Sequence, residues 1–319
     1  MNETIKGNKT EQSWYPDVEP AEQLLERILI ERRKKWEAAE LAKMEAKGKA
    51  SKNDKWKKRY KDIEPPIEVD LPYIPDEWLW VRLDTVAEIK GGITKDRKRV
   101  VKSAIELPYL RVANVQRGYL DLEDIKYIQI SKEKIPEFLL EEGDILFNEG
   151  GDIDKLGRGW IWEGQIERCT FQNHVFRARL YVNEIQEKWI SWFSNTFGQR
   201  YFMAEGKQTT NLASINKTML SAFPVPLPPI DEQSELIREI EKKYSVIEKI
   251  EKDLDDRFTM AENLRRSILK KAFTGKLVPQ DPKDEPASVL IQKIKDEIKE
   301  IKKAPKKRRL MLRIRGLKC

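Results

Sequence analysis

The sequence predicts an α+β fold, one globular domain of mixed short strands flanked by long α-helices that form a coiled-coil or bundle arm. Three observations predict it. Charged residues make up 36% of the 319-residue chain, more than one sphere needs, and long solvated helices that bury only a stripe account for the excess. Between Trp78 and Pro224, short apolar runs alternate with glycines and charged turns. From Ile240 to Ala272, apolar residues advance by threes and fours, the spacing of a coiled-coil seam.

Residues 1–64 read as a helical arm and basic linker. Pro20 suits a first helical position, and Leu24, Leu25, Ile28 and Leu29 make one apolar stripe that thins beyond Trp36. The lysine-rich stretch 43–61, with Gly48, Ser51 and Asn53, reads as a solvated helix end and a linker, closed by Pro65, Pro66, Pro72 and Pro75. Residues 65–229 form the globule. Strands are expected at Val86–Ile89, Tyr109–Val112, Ile125–Ile130, Asp144–Phe147, Trp160–Trp162 and Val175–Val182, turning at Gly91, Gly118, Gly143, Gly150, Gly157 and Gly164. One helix is expected over Ile185–Met203. Residues 230–304 hold a long helix, Glu232 to Phe273, and a short one. At 1.5 Å per residue the long helix would reach roughly 60 Å. Gly275 is placed to end it, and residues 305–319 are a basic tail.

One helix type occurs twice. "EPAEQLLERILIERRKKW" from Glu19 returns as "EPASVLIQKIKDEIKEIK" from Glu285, so that Glu19, Pro20, Ala21, Leu24, Ile28 and Glu31 match Glu285, Pro286, Ala287, Leu290, Ile294 and Glu297. Two helices of one kind therefore flank the globule, as in one unit of a pseudo-symmetric object.

Net charge +7 and a pI near 9.1 favour an acidic partner such as nucleic acid. Cys169 and Cys319 suggest neither a disulfide framework nor a cysteine zinc site. The polar Met1–Thr10 segment does not resemble a signal peptide, and no stretch is apolar enough to span a bilayer, so the cytoplasm is expected. Methyl transfer to a base amine usually needs Asp or Asn before Pro-Pro and an aromatic. Here the Pro-Pro pairs are flanked by Glu64 and Ile67 and by Leu227 and Ile230. Asp124-Ile125-Lys126 fits a nuclease tripeptide, but in so charged a chain a surface strand explains it better. His174, the sole histidine, reads as a core or groove residue. The glycines of "NEGGDIDKLGRG" read as a loop between strands, not a phosphate cradle.

Several stretches resemble the DNA specificity subunits of type I restriction-modification systems. "LPYIPDEWLWVRLDTVAEIKGG" is similar to the entry of a target-recognition domain, and "LPYLRVANVQRGYLDLEDIKYI" and "EEGDILFNEGGD" to its early and middle strands. "FPVPLPPIDEQSELIREIEKK" and "LRRSILKKAFTGKLVPQDPKDEPASVLIQKI" resemble the exit into the family's conserved helix and its end, the most specific of these segments. The family's subunits usually carry two recognition domains whose conserved helices pack antiparallel as a ruler between half-sites. This chain resembles only the second half: the tail of one conserved region, one recognition domain and the next conserved region. That departure implies either a half-length form that pairs as a homodimer or with another half subunit, or a remnant whose tail "KKRRLMLRIRGLKC" reflects a frame change.

The resemblance implies a non-catalytic chain that binds double-stranded DNA. Its conserved-helix region, 230–304, would serve as spacer, dimer contact and methyltransferase dock. No cofactor is expected on this chain. S-adenosylmethionine would be bound by methyltransferase subunits, and ATP and magnesium by a restriction subunit. Base edges are read by Arg, Lys, Asn and Gln, which selects four loops. They contain Lys95, Arg97 and Arg99; Asn114, Gln116 and Arg117; Asn148, Lys155 and Arg158; and Lys207, Gln208, Thr209, Thr210 and Asn211, the last group being the best candidate for specificity. Ile240, Ile247, Ile250, Leu254, Phe258 and Leu264 are the expected dimer or partner contacts. Two rival functions stay open: a coiled-coil adaptor whose globule binds protein, and an orphan nuclease built on Asp124 and Lys126.

Overall fold

The computed structural model describes residues 19–48, 53–66, 71–94, 104–151, 156–205, 207–208 and 213–303. Helix α1 (Ala21–Ala46) begins directly after Pro20, whose carbonyl accepts from the amides of Gln23 and Leu24. Pro20 is thus the cap and not the first helical residue. Strand β1 (Leu79–Arg82) leads through α2 (Leu83–Val86) into β2 (Ala87–Gly91). Then follow β3 (Ala104–Leu110), β4 (Lys126–Ser131), α3 (Ile135–Phe138), β5 (Ile145–Asn148) and β6 (Gly150–Gly151). After β7 (Gly159–Ile161), β8 (Thr170–Phe171) and β9 (Val175–Leu180), α4 (Glu187–Phe193) and α5 (Gln199–Glu205) are joined by a π-helical turn, Ser194–Gly198. The globule closes with β10 (Lys207–Gln208), β11 (Ala213–Ser214), α6 (Lys217–Ala222) and β12 (Pro224–Leu227), and two further helices follow, α7 (Ile230–Phe273) and α8 (Ala287–Lys303).

The central sheet runs β2-β9-β5-β7, antiparallel throughout. Every residue of β5 is buried, and its pleat serves two cores. Ile145 and Phe147 join Val86, Phe176, Phe202, Leu220 and Phe223 on one side, while Leu146 joins Leu110, Trp162, Cys169 and Phe171 on the other. A second sheet orders β4-β3-β8, and β1 pairs antiparallel with β12, tying the entry of the globule to its exit. Within β9, the Arg177 side chain is buried beside Glu88 (2.9 Å), and Arg179 clamps Asp144 (2.7 Å) and Glu141. These pairs hold the sheet to the turn before β5.

The described residues up to Lys243 form one compact unit, and those from Tyr244 form another. Helix α1 belongs to the first because Leu24 and Ile28 are fully buried in its larger core. The basic stretch after α1 is more than the expected linker. Asp54–Arg59 makes a 3-10 helix that lays Trp56 on Trp36 at 5.8 Å, with Tyr60 edge-on to Trp36 and its hydroxyl accepting from Arg32.

In the second unit, α7 ends at the expected glycine: Gly275 has φ 66°, and the next amide, Lys276, bonds the Lys271 carbonyl. Ile247, Ile250, Leu254, Phe258 and Leu264 are 48 to 72% exposed, whereas Ile240, in the first unit, is half-buried. Helix α8 repeats α1 in detail. Glu285 pairs with Lys293 at 2.7 Å as Glu19 pairs with Arg27 at 2.8 Å, eight residues apart in each. Yet Leu290 and Ile294, the counterparts of buried Leu24 and Ile28, are exposed. Among the described residues, no helix is long and apolar enough to cross a membrane.

Candidate nucleic-acid interface

Three of the four predicted loops meet where β5 ends, joined by both main-chain and side-chain hydrogen bonds. Residues 111–124 fold on themselves around Asn114, whose carbonyl oxygen accepts from the Arg111 amide and whose amide donates to the carbonyls of Asp121 and Asp124. Inside this loop Val115 bridges Leu120, and Gln116 and Arg117 lie at the tip. Asn148 donates to the Val115 carbonyl at 2.7 Å and the Val112 carbonyl at 3.2 Å, which fastens this loop to the end of β5. Asn114 and Asn148 are 2% and 0% exposed. They shape the loops from within, which corrects their expected role as base donors. Gln116 is half-buried with its amide on the Ala113 carbonyl, and exposed Arg117 donates to the carbonyl of Asn195.

The stretch after β5 is held from both sides. The Asn148 amide bonds the Arg158 carbonyl, and half-buried Arg158 donates to the Val112 carbonyl. Asn195, in the π-helical turn, grips Gly159 with both ends of its amide: Oδ1 accepts from the Gly159 amide at 3.1 Å, and Nδ2 donates to its carbonyl at 2.7 Å. That carbonyl also accepts from Gly118. A Cβ at Gly159 would stand 1.8 Å from the Leu146 carbonyl oxygen, so only glycine lets β7 approach β5 this closely. The π-turn sits inside the single expected helix 185–203, which runs without a gap from Glu187 to Glu205.

The third loop arrives through a small sheet. β10 pairs with β11, and β11 pairs with β6, so Lys207 and Gln208 are joined across β11 to Gly150 and Gly151. The adjoining Ile215 amide bonds the Glu149 carbonyl at 2.7 Å. Thr209, Thr210, Asn211 and Lys155 lie outside the described residues, as do Lys95, Arg97 and Arg99. The segment leading to this last group arrives at the same place, since the Asn173 amide bonds the Ile93 carbonyl and the Glu149 amide bonds the His174 carbonyl.

Two side chains at this meeting point were not among the expected base readers. His174, expected in a core or groove, is exposed, and its Nδ1 contacts Glu149 Oε2. A carboxylate accepts, so Nδ1 is the donor of this pair, and the Asn173 side-chain amide stands 3.2 Å from Nε2 on the far side of the ring. Glu149 lies within a predicted loop, but a carboxylate is not among the cations and amides by which the loops are selected. Asp124 of the proposed nuclease tripeptide spends its oxygens on Lys126 at 2.7 Å and Arg111 at 3.0 Å, which hold its carboxyl below the usual range. Among the described residues, no three His, Cys, Asp or Glu side chains gather as a metal site.

A family model described as the type I restriction modification DNA specificity domain matches residues 75–256. The specificity subunit of the type I restriction enzyme EcoKI from Escherichia coli K12 is 28% identical over 222 residues, 66% of this chain and 47% of that protein. The putative type I restriction enzyme MjaX specificity subunit from Methanocaldococcus jannaschii is 26% identical over 210 residues, 65% of this chain and 48% of that protein. This chain therefore spans about half the length of the curated relatives it matches. The crystal structure of the HsdS subunit from Thermoanaerobacter tengcongensis aligns over 81% of this chain and 57% of its own, with 18% identity and a TM-score of 0.41. Because the family match covers more than half of the sequence and includes the whole loop cluster at the end of β5, this chain belongs to the type I restriction modification DNA specificity family.

Proposed function

We propose that this chain reads one half-site of a double-stranded DNA target on behalf of a separate methyltransferase and carries no catalytic centre of its own. The observation behind this reading is the meeting of three polar loops at the end of β5, joined by main-chain and side-chain hydrogen bonds, in a chain of the specificity family. Side chains at such a place face DNA from a fixed frame, which base-edge readout requires. Phosphates are met by the basic surface at large.

Chemistry belongs to the partners in this reading. A methyltransferase subunit binds S-adenosylmethionine and, in the restricting form, a motor nuclease subunit uses ATP and magnesium. The methyltransferase docks through the helical region 230–304, and the assembly works in the cytoplasm. The exposed apolar row of α7, Ile247, Ile250, Leu254, Phe258 and Leu264, is covered by a second copy or by another half-length specificity chain. Pairing of that kind gives two half-sites at a fixed spacing.

Mapping of methylated bases in the host, with and without the gene, tests the function directly. One interrupted motif should lose its methylation when the gene is deleted, and an unchanged pattern overturns the reading. The chain freed of all partners should turn over neither S-adenosylmethionine nor DNA with magnesium.

A further inference from the structure

We infer that Glu149, Asn173 and His174 form a base-reading triad in which Glu149 accepts a hydrogen bond from the exocyclic amino group of a cytosine or adenine in the major groove. The inference rests on the DNA-reading function proposed above and adds a reader that its cations and amides do not supply.

The first argument is electrostatic. A carboxylate on a loop that approaches DNA is repelled by the phosphates, which line the duplex at about one charge per 1.7 Å of axis. It is favourable in such a place only against a donor, and in the major groove the donors are cytosine N4 and adenine N6. The Glu149 side chain is 30% exposed and that of His174 is 55% exposed, so both reach solvent.

The second argument is orientation. His174 Nδ1 takes one carboxylate oxygen, Oε2, and among the described residues Oε1 has no donor. The Asn173 side-chain amide contacts the far ring nitrogen of His174, which fixes the orientation of the ring. The main chain is fixed too: the Glu149 amide bonds the His174 carbonyl at 3.0 Å, and the Glu149 carbonyl accepts from Ile215 at 2.7 Å. Glu149 is thus the reader, while His174 and Asn173 are positioning residues. An acceptor held this firmly loses little freedom when a base arrives.

Duplexes selected by the full-length chain from a randomised pool provide the test. The wild-type chain should yield a consensus. Glu149→Ala and Glu149→Gln should lose preference at one base-pair position, by about tenfold, the size of one base contact, and keep it at the others. Affinity for random duplex should stay equal or rise, because a negative charge has gone. His174→Ala should weaken preference at that same position, and His174→Asn, which returns a donor near the place of Nδ1, should restore it in part. An unchanged consensus in both Glu149 variants overturns the triad. So does loss at every position together with a lowered melting temperature, which marks the pair as a pin for the strands. A wild-type chain that selects no sequence overturns the DNA-reading function itself, and that result appears before any substitution is made.

Discussion

Cys169 is packed among Leu110, Trp162 and Phe171, 1% exposed. Removal from water pushes its thiol from 9.0 up to about 12, and the Tyr181 phenol rises from 10.0 to about 12 for the same reason. Above the ordinary thiol value the folded chain therefore holds protons that the unfolded chain has released, so stability falls as pH rises between about 9 and 12. Melting temperatures should decline across that window, and Cys169→Ala should flatten the decline even though it lowers stability at neutral pH. The native thiol should also resist alkylation at pH 8, and rapid labelling there would contradict its burial. At the same scale the loops were readable from residue type, but the direction of each side chain was not. An asparagine that meets a base and one that braces a loop look alike in sequence. Only the fold turns Asn114 and Asn148 inward and sets Glu149 against His174.

Among the elements, α1 and α8 make a natural experiment, since one helix type is buried in one setting and bare in the other. Leu24→Ala or Ile28→Ala should each cost about 2–5 kcal/mol of globule stability, the usual loss for large-to-small changes in a core. Leu290→Ala and Ile294→Ala should cost almost nothing in the single chain, and a loss comparable to that of the α1 variants would mean that α8 is covered. For α7, Ile247→Asp with Leu254→Asp should convert a pair of chains to monomers. A soluble wild-type monomer at high concentration, seen by scattering, would remove the pairing. Long helices were legible because their period persists over many turns. Runs of aliphatic residues likewise revealed most strands of the central sheet, although β3 begins five residues before the expected strand and Val86 closes α2 instead of opening β2. The pairing of β1 with β12 stayed hidden, because Pro224 and Pro226 argue against a strand except in a small sheet of this kind, where a proline need not donate. The cluster of Trp36, Trp56 and Tyr60 was concealed by the lysines around it, whose charge reads as a linker.

For the whole molecule, the proposed function gives the net charge of +7 the part of setting how tightly any duplex is held, and the loops at the end of β5 the part of setting which duplex is preferred. Lys58→Ala should weaken binding to cognate and scrambled duplexes alike and flatten the salt dependence. Lys57→Ala should do less, because Lys57 already lies near Glu37 and Asp54. Gln208→Ala and Asn211→Ala should cost about 1–3 kcal/mol on the cognate duplex alone. Equal losses on both duplexes for these two variants would take their loop off the reading surface. Among the joints between these loops, the β6-β11-β10 sheet and the bond from Gly118 to Gly159 use main-chain amides and carbonyls, which any residue except proline can supply, while Asn148, Arg158 and Asn195 add side-chain ties beneath. With those three side chains in place, such a surface is indifferent to the chemistry carried at its tips. New residues there can change which sequence is preferred without a folding penalty, so target preference can drift between lineages while the scaffold stays the same.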